Sequence, residues 1–211
     1  FCGCKALTSV TVPEGMTALP DSAFYGANGL QSVTLPATLT KLGTAVFEDC
    51  TALQSIEIPA GVTEIPNSAF SGCTALTSVT LPDTVTSIGR YAFLATALSA
   101  IRVPDAVTSI DYRAFYNCTS LSSVNIPKSW TTAGTQIFLG CKALTSSTVP
   151  EGMTALPDSA FYGANGLQSV TLPATLTKLG TSVFKECTAL QSIEIPSGVT
   201  EIPDSAFREC K

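Results

Sequence analysis

The sequence predicts a repeat solenoid: a right-handed superhelix with parallel β-strands on one face and short strands, 3-10 or helical turns on the other. Three observations carry this. A leucine recurs at Leu7, Leu30, Leu53, Leu76, Leu98, Leu121, Leu144, Leu167 and Leu190, in steps of 23 residues broken by one step of 22 between Leu76 and Leu98. All ten phenylalanines fall at a single position of that repeat. A proline closes the alternating apolar stretch of every unit, from Pro13 to Pro196. A fixed step of this size means stacked coils, each burying its apolar face against the next.

Each element of the coil follows from its residues. In Leu53, Ile56 and Ile58, with Ser55 and Glu57 between, the period of two and the β-branched residues give a short strand buried on one face. Pro59 lacks an N–H for the ladder and stops it. A second extended piece follows at 62–65, and then Pro66-Asn67-Ser68-Ala69-Phe70. An Asn, Asp or Thr before a short polar-apolar run is an N-cap signal, so one helical turn is expected there with the Phe pointing inward. The ten phenylalanines should stack as a spine. In the coil from Leu121, Trp130, Ala133 and Ile137 exchange large and small residues against the other coils, which keeps the core volume near constant. Core packing is the expected role of Trp130, with a binding aromatic as the alternative.

Composition bounds the function. The chain has 211 residues, 45% of them apolar and 13% charged, which suits a long core and not a disordered chain. The net charge is −5, without the grouped Lys and Arg that nucleic acid requires. No run is long enough to span a bilayer, so no membrane insertion is expected in this segment. Phe1 and Cys210 stand at mid-repeat positions, so 1–211 is expected to be a single solenoid of about nine repeats, an excerpt of a longer array. Cut ends of that kind predict end-to-end self-association. Residues 1–73 recur as 138–210 with nine differences, a duplication of a block of coils.

The unit L-x-S-[VI]-x-[IVL]-P-x-x-[VLM]-T-x-[IL]-[GP]-x-x-A-F-x-x-C resembles the BspA-like, or Treponema pallidum-type, leucine-rich repeat, and the resemblance covers the whole chain. It implies a curved or twisted solenoid and an extracellular or cell-surface binding protein. Members of that family occur in host-associated bacteria and parasitic protists, and some are adhesins. It supplies no catalytic residues. Ala27, Thr96 and Ala164 depart from the pattern at the Cys position, and Ser147 and Ala133 at core positions.

Chemistry narrows the choice further. Seven cysteines (Cys4, Cys50, Cys73, Cys118, Cys141, Cys187 and Cys210) stand in register, one per coil, and should form a column at a spacing of about 4.8 Å. Parallel side chains would hold the Cβ atoms slightly beyond disulfide range. Buried reduced thiols are therefore expected, with a disulfide framework as the alternative. A column makes no tetrahedron, so no metal is expected. Without histidine the usual nucleophile–base pair cannot form, so no catalytic residue, enzyme activity or cofactor is assigned. Asn117-Cys118-Thr119 matches a glycosylation sequon, but its Cys belongs to the column.

The outward residues of the strands are the candidate ligand-binding site. Thr34, Glu57, Thr80, Arg102, Asn125, Thr171 and Glu194 represent this ribbon. It is hydroxylated, nearly free of aromatics, and equal in the two copies. The expected partner is a host or cell-surface protein or glycan, bound with low affinity per coil and multiplied by repetition. The rival reading is a structural spacer or stalk that projects another domain from a cell surface.

Overall fold

A computed structural model describes residues 1–210. The chain winds as a parallel β-solenoid with a strand of every coil on one face and strands of the four middle coils on a second. The first face carries β1 (Ser9–Thr11), β2 (Ser32–Thr34), β3 (Ser55–Glu57), β5 (Ser78–Thr80), β7 (Ala100–Ile101), β9 (Ser123–Val124), β11 (Ser146–Thr148), β12 (Ser169–Thr171) and β13 (Ser192–Ile193). The second face carries β4 (Glu64–Ile65), β6 (Ser87–Ile88), β8 (Ser109–Ile110) and β10 (Thr132–Ala133), which form one continuous sheet. Single bridges at Ala18–Lys41 and Ala155–Lys178 extend this second face toward both ends. Register is exact from coil to coil, as in Ser9 to Ser32 and Glu57 to Thr80. The first-face ladder breaks between β2 and β3, β5 and β7, and β9 and β11.

The core is one column of apolar layers. Every ring from Phe1 to Phe207 stacks on the next, with centroids 5.2 Å apart at the tightest pair and 6.0 Å at the widest, Phe138–Phe161. Trp130 lies beside that widest pair, its ring edge-on to Phe161 at 6.4 Å. It is buried, and its indole N–H donates to the Thr132 carbonyl at 2.9 Å, so it is a packing residue. A larger ring in one layer has pushed the phenylalanine stack apart there.

One expectation is corrected. The turn before the spine holds no helix among the described residues. Its N–H groups alternate between two targets. Ala69, Ser71 and Cys73 donate within the coil to Pro66, Ser68 and Phe70, while Ser68, Phe70 and Gly72 donate to Arg90, Ala92 and Leu94 of the next coil. A helix would spend all of these donors inside the coil and leave the stacking interface without bonds. The alternation requires two left-handed residues per turn, at the second position before the Phe and the second after it, such as Ser68 (φ 54) and Gly72 (φ 73). Those two positions carry Ser, Ala, Gly, Asn, Asp, Glu, Gln, Arg or Tyr in every described coil and never a β-branched residue, which is the class left-handed backbone excludes most strongly.

The capping signal was real but its target lies elsewhere. Asp21 Oδ1 accepts from the Thr44 N–H at 2.7 Å, Asn67 Oδ1 from Arg90 at 2.8 Å, and Asp158 Oδ1 from Thr181 at 2.7 Å. Each caps the following coil's backbone. Threonines do the same work at the start of the second face: the hydroxyls of Thr40, Thr86 and Thr177 donate to the carbonyls of Thr17, Thr63 and Thr154 one coil back.

Candidate functional site

The first-face strands place the predicted ribbon residues in one row. Thr34, Glu57, Thr80, Arg102, Asn125, Thr171 and Glu194 are all exposed, because the strand alternation sends Val33, Ile56, Val79, Ile101, Val124, Val170 and Ile193 the other way. Two of the seven are already engaged by a neighbouring coil. Arg102 Nη1 donates to Asp83 Oδ1 at 2.7 Å in an exposed ion pair. Asn125 clasps Val103: its Oδ1 accepts from the Val103 N–H at 2.7 Å and its Nδ2 donates to the Val103 carbonyl at 2.7 Å. That amide stands in for a rung of the ladder beside the short strands β7 and β9.

Along the row, two depressions of matching composition open at the strand ends. One, of about 450 Å³, is lined by Val33, Thr34, Leu35, Ala37, Glu57, Pro59 and Ala60. Its counterpart, of about 470 Å³, includes Val170, Thr171, Leu172, Ala174, Glu194, Pro196 and Ser197, the same positions of the second copy. Each offers a carboxylate and a threonine hydroxyl above an apolar floor of Leu and Pro. One difference lies close by in the core. Ser147 stands in β11 where the first copy has Val10, and its buried hydroxyl has no hydrogen-bond partner.

The cysteine column is built into the core from Cys50 to Cys187, but its two ends are not buried as expected: Cys4 is exposed and Cys210 half-buried, because each lacks a covering coil on one side. The thiols of Cys50, Cys73, Cys118, Cys141 and Cys187 are buried and each donates to a spine Phe carbonyl of the preceding coil, at 3.0–3.1 Å. Burial pushes the thiols of Cys50 and Cys187 up to about 12. Thr96, at the shortened coil, turns its hydroxyl to its own Phe93 carbonyl at 3.0 Å and lies 3.2 Å from the Cys118 sulfur. Among the described residues no group of three or more His, Cys, Asp or Glu side chains is arranged to hold a metal.

Sequence reasoning missed a second polar feature, on the turn before the spine. Arg113 lies over two tyrosine rings, 4.9 Å from the centroid of Tyr112 and 4.7 Å from that of Tyr116. Arg90 lies 5.5 Å from the same Tyr112 centroid, and Tyr91 meets Tyr112 edge-on at 5.4 Å. Comparing this turn column by column would have found it: Arg90-Tyr91 and Tyr112-Arg113 stand where other coils have Asp-Ser, Thr-Ala, Asn-Ser, Thr-Gln or Thr-Ser.

Stacked parallel strands, a leucine opening each coil and a row of exposed side chains define a leucine-rich-repeat solenoid. The pattern described as "BspA type Leucine rich repeat region" matches residues 1–121 and 86–211, and the chain belongs to that family. Its backbone is similar to a leucine-rich repeat protein from Bacteroides ovatus, with a TM-score of 0.81, 27% identity, and coverage of 96% of this chain and 58% of that one. A leucine rich cell surface protein from Faecalibacterium prausnitzii gives a TM-score of 0.61 at 29% identity, covering 100% of this chain and 60% of that one. The T. pallidum leucine rich repeat protein gives 0.60 at 28% identity, covering 88% and 79%. The chain thus spans about three-fifths of the length of the first two. A comparison with curated proteins returns no match.

Proposed function

We propose that this chain is a non-catalytic, cell-surface or secreted binding module that engages a protein or glycan of a host or neighbouring cell through its first strand face. The observation that carries this reading is the pair of equivalent depressions at Thr34/Glu57 and Thr171/Glu194. A carboxylate and a hydroxyl above an apolar floor suit either a sugar ring or a basic side chain of a partner. The description of the Faecalibacterium relative as a cell surface protein supports the location. The two sites lie six rungs apart, roughly 29 Å at about 4.8 Å per rung, so a repetitive ligand gains from both.

The test is a screen of the purified chain on arrays of glycans and extracellular proteins, followed by titration calorimetry of the strongest hit. Two sites per chain are expected, with Glu57→Ala and Glu194→Ala each removing one. A single site abolished by Arg102→Ala and untouched by Glu57→Ala would overturn the two-site reading. The rival spacer role rests on the hydroxylated, aromatic-free row, and an array with no hit at all would favour it.

A further inference from the structure

The chain offers a contrast between two places where cations lie over tyrosine rings. Lys185 lies 4.9 Å from the Tyr162 ring centroid and has Glu186 Oε1 3.9 Å away, and the same carboxylate accepts from the Tyr162 hydroxyl at 3.1 Å. That cation is neutralised within its own coil. The Arg90–Tyr112–Arg113–Tyr116 cluster is built differently. Among the described residues the ion pairs are Arg102–Asp83, Lys185–Glu186 and Arg208–Glu209, so neither Arg90 nor Arg113 has a carboxylate within 4.0 Å. Arg113 is half-buried, and its Nε is held at 2.7 Å by the neutral Oε1 of Gln136.

The sequence explains why neither guanidinium is paired. Tyr25, Tyr116 and Tyr162 occupy one position, just after the spine Phe. Above Tyr25 the next coil presents Glu48 and Asp49, and above Tyr162 it presents Lys185 and Glu186. Above Tyr116 it presents Leu139 and Gly140. The carboxylates that stand over the other two tyrosines have no equivalent here.

We propose that Arg90, Tyr112, Arg113 and Tyr116 form a docking site for a short acidic segment of a partner protein, one that carries carboxylates on alternate residues. Both guanidinium groups lie over one ring, Tyr112, at 5.5 and 4.9 Å from its centroid. Alternate residues of an extended peptide point to one side, so two such carboxylates can approach the two cations together. Guanidinium forks favour carboxylates through charge-assisted bonds, and stacking on a ring fixes their planes before the partner arrives. Tyrosine and arginine are also the residue types that carry binding energy at protein interfaces. A sulfated polymer fits less well. The patch offers two cations on a chain of net charge −5, enough for a segment with two carboxylates and too few for a dense polyanion, and Asp111, whose Oδ1 accepts from the Tyr112 N–H, adds to the repulsion of the latter. The patch lies on the turns before the spine, apart from the strand-face row, and does not depend on that row's ligand.

The experiment is fluorescence anisotropy with a fluorescein-labelled peptide of alternating Asp and Ser, titrated with the whole chain. Its control arms are the same peptide with Asn for Asp, and competition by a heparin oligosaccharide. The variants are Arg113→Gln and Lys185→Gln. Gln136 already occupies the position equivalent to Arg113 one coil on, at φ 60, so the first substitution is compatible with the fold. Saturable binding of the Asp peptide is expected, weakened about tenfold or more by Arg113→Gln. Lys185→Gln should leave it unchanged, the Asn peptide should not bind, and heparin should compete weakly. Three results would overturn the proposal: no saturable binding, equal weakening by both variants, or heparin binding more tightly than the peptide.

Discussion

The thiol of Cys73 donates to the carbonyl oxygen of Phe47 at 3.0 Å, across the boundary between two coils. The same carbonyl accepts from the Cys50 N–H within its own coil, so one oxygen ties together the spine, the turn and the next layer. Cys73→Ala removes that tie and leaves space in a fully buried site. The expected loss is on the order of 1–2 kcal/mol, read from urea unfolding. Ala27 and Ala164 show that the fold accepts alanine at this position, so the variant should still fold. Unchanged stability would mean that the thiol acts only as filler.

The thiol column predicts an alkaline weakness. Burial raises Cys50 and Cys187 to about 12 from an ordinary value near 9, and pushes Cys73 up as well. Between those values the unfolded chain loses thiol protons that the folded chain keeps. The stabilisation is therefore complete below pH 9 and falls as pH rises toward 12. The slope should approach about 1.4 kcal/mol per pH unit for each such thiol. Urea midpoints at pH 8 and pH 10.5 measure it. In the same series a thiol reagent should label the exposed Cys2 and Cys4 first and the buried thiols from Cys50 to Cys187 only on unfolding.

Ser147→Val should stabilise the chain. Its hydroxyl is buried without a partner, and valine occupies the corresponding place in the first copy at Val10. Relief of an unsatisfied hydroxyl is expected to contribute about 1–3 kcal/mol. A lower melting temperature for the variant would show that the site cannot hold the added methyl groups.

Ser68 tests the left-handed turn. Ser68→Gly should be close to neutral, while Ser68→Val should cost about 1–2 kcal/mol, because a β-branched residue at φ 54 meets the following carbonyl. Equal melting temperatures for the two variants would count against the backbone described for this turn.

Phe70 sits mid-stack, 5.5 Å from Phe47 and 5.4 Å from Phe93. Phe70→Ala should cost about 3–5 kcal/mol through lost transfer energy and the cavity left behind. In a stacked array the loss should split the unfolding transition into two halves, visible by calorimetry. A single transition at the original temperature would place Phe70 outside the stabilising core.

The parts of the fold visible in the sequence were those whose cause lies within one coil. Val79 between Ser78 and Thr80 declares its buried face, Pro82 declares where the strand ends, and a phenylalanine at a fixed step declares the spine. The outward row followed from the same alternation. What escaped depended on a partner one coil away. Asn67 looked like the cap of a local helix, and its acceptor serves Arg90 instead. Asn125 looked like a free ligand group, and its amide belongs to Val103. Arg113 reads as an ordinary surface cation until Tyr112 and Tyr116 are set beside it.

Because every second N–H of the turn reaches into the following coil, a pull on the two ends loads the inter-coil bonds one after another, in series. Such a chain has no single breaking point. It would pay out length in nearly equal steps, each releasing one coil of 23 residues, or roughly 80 Å of extended backbone. The coil between Leu76 and Leu98, one residue shorter, would give a slightly smaller step. Anchored at one end and gripped at the other, the solenoid would behave as an extensible tether that yields by layers and restacks when the tension is released.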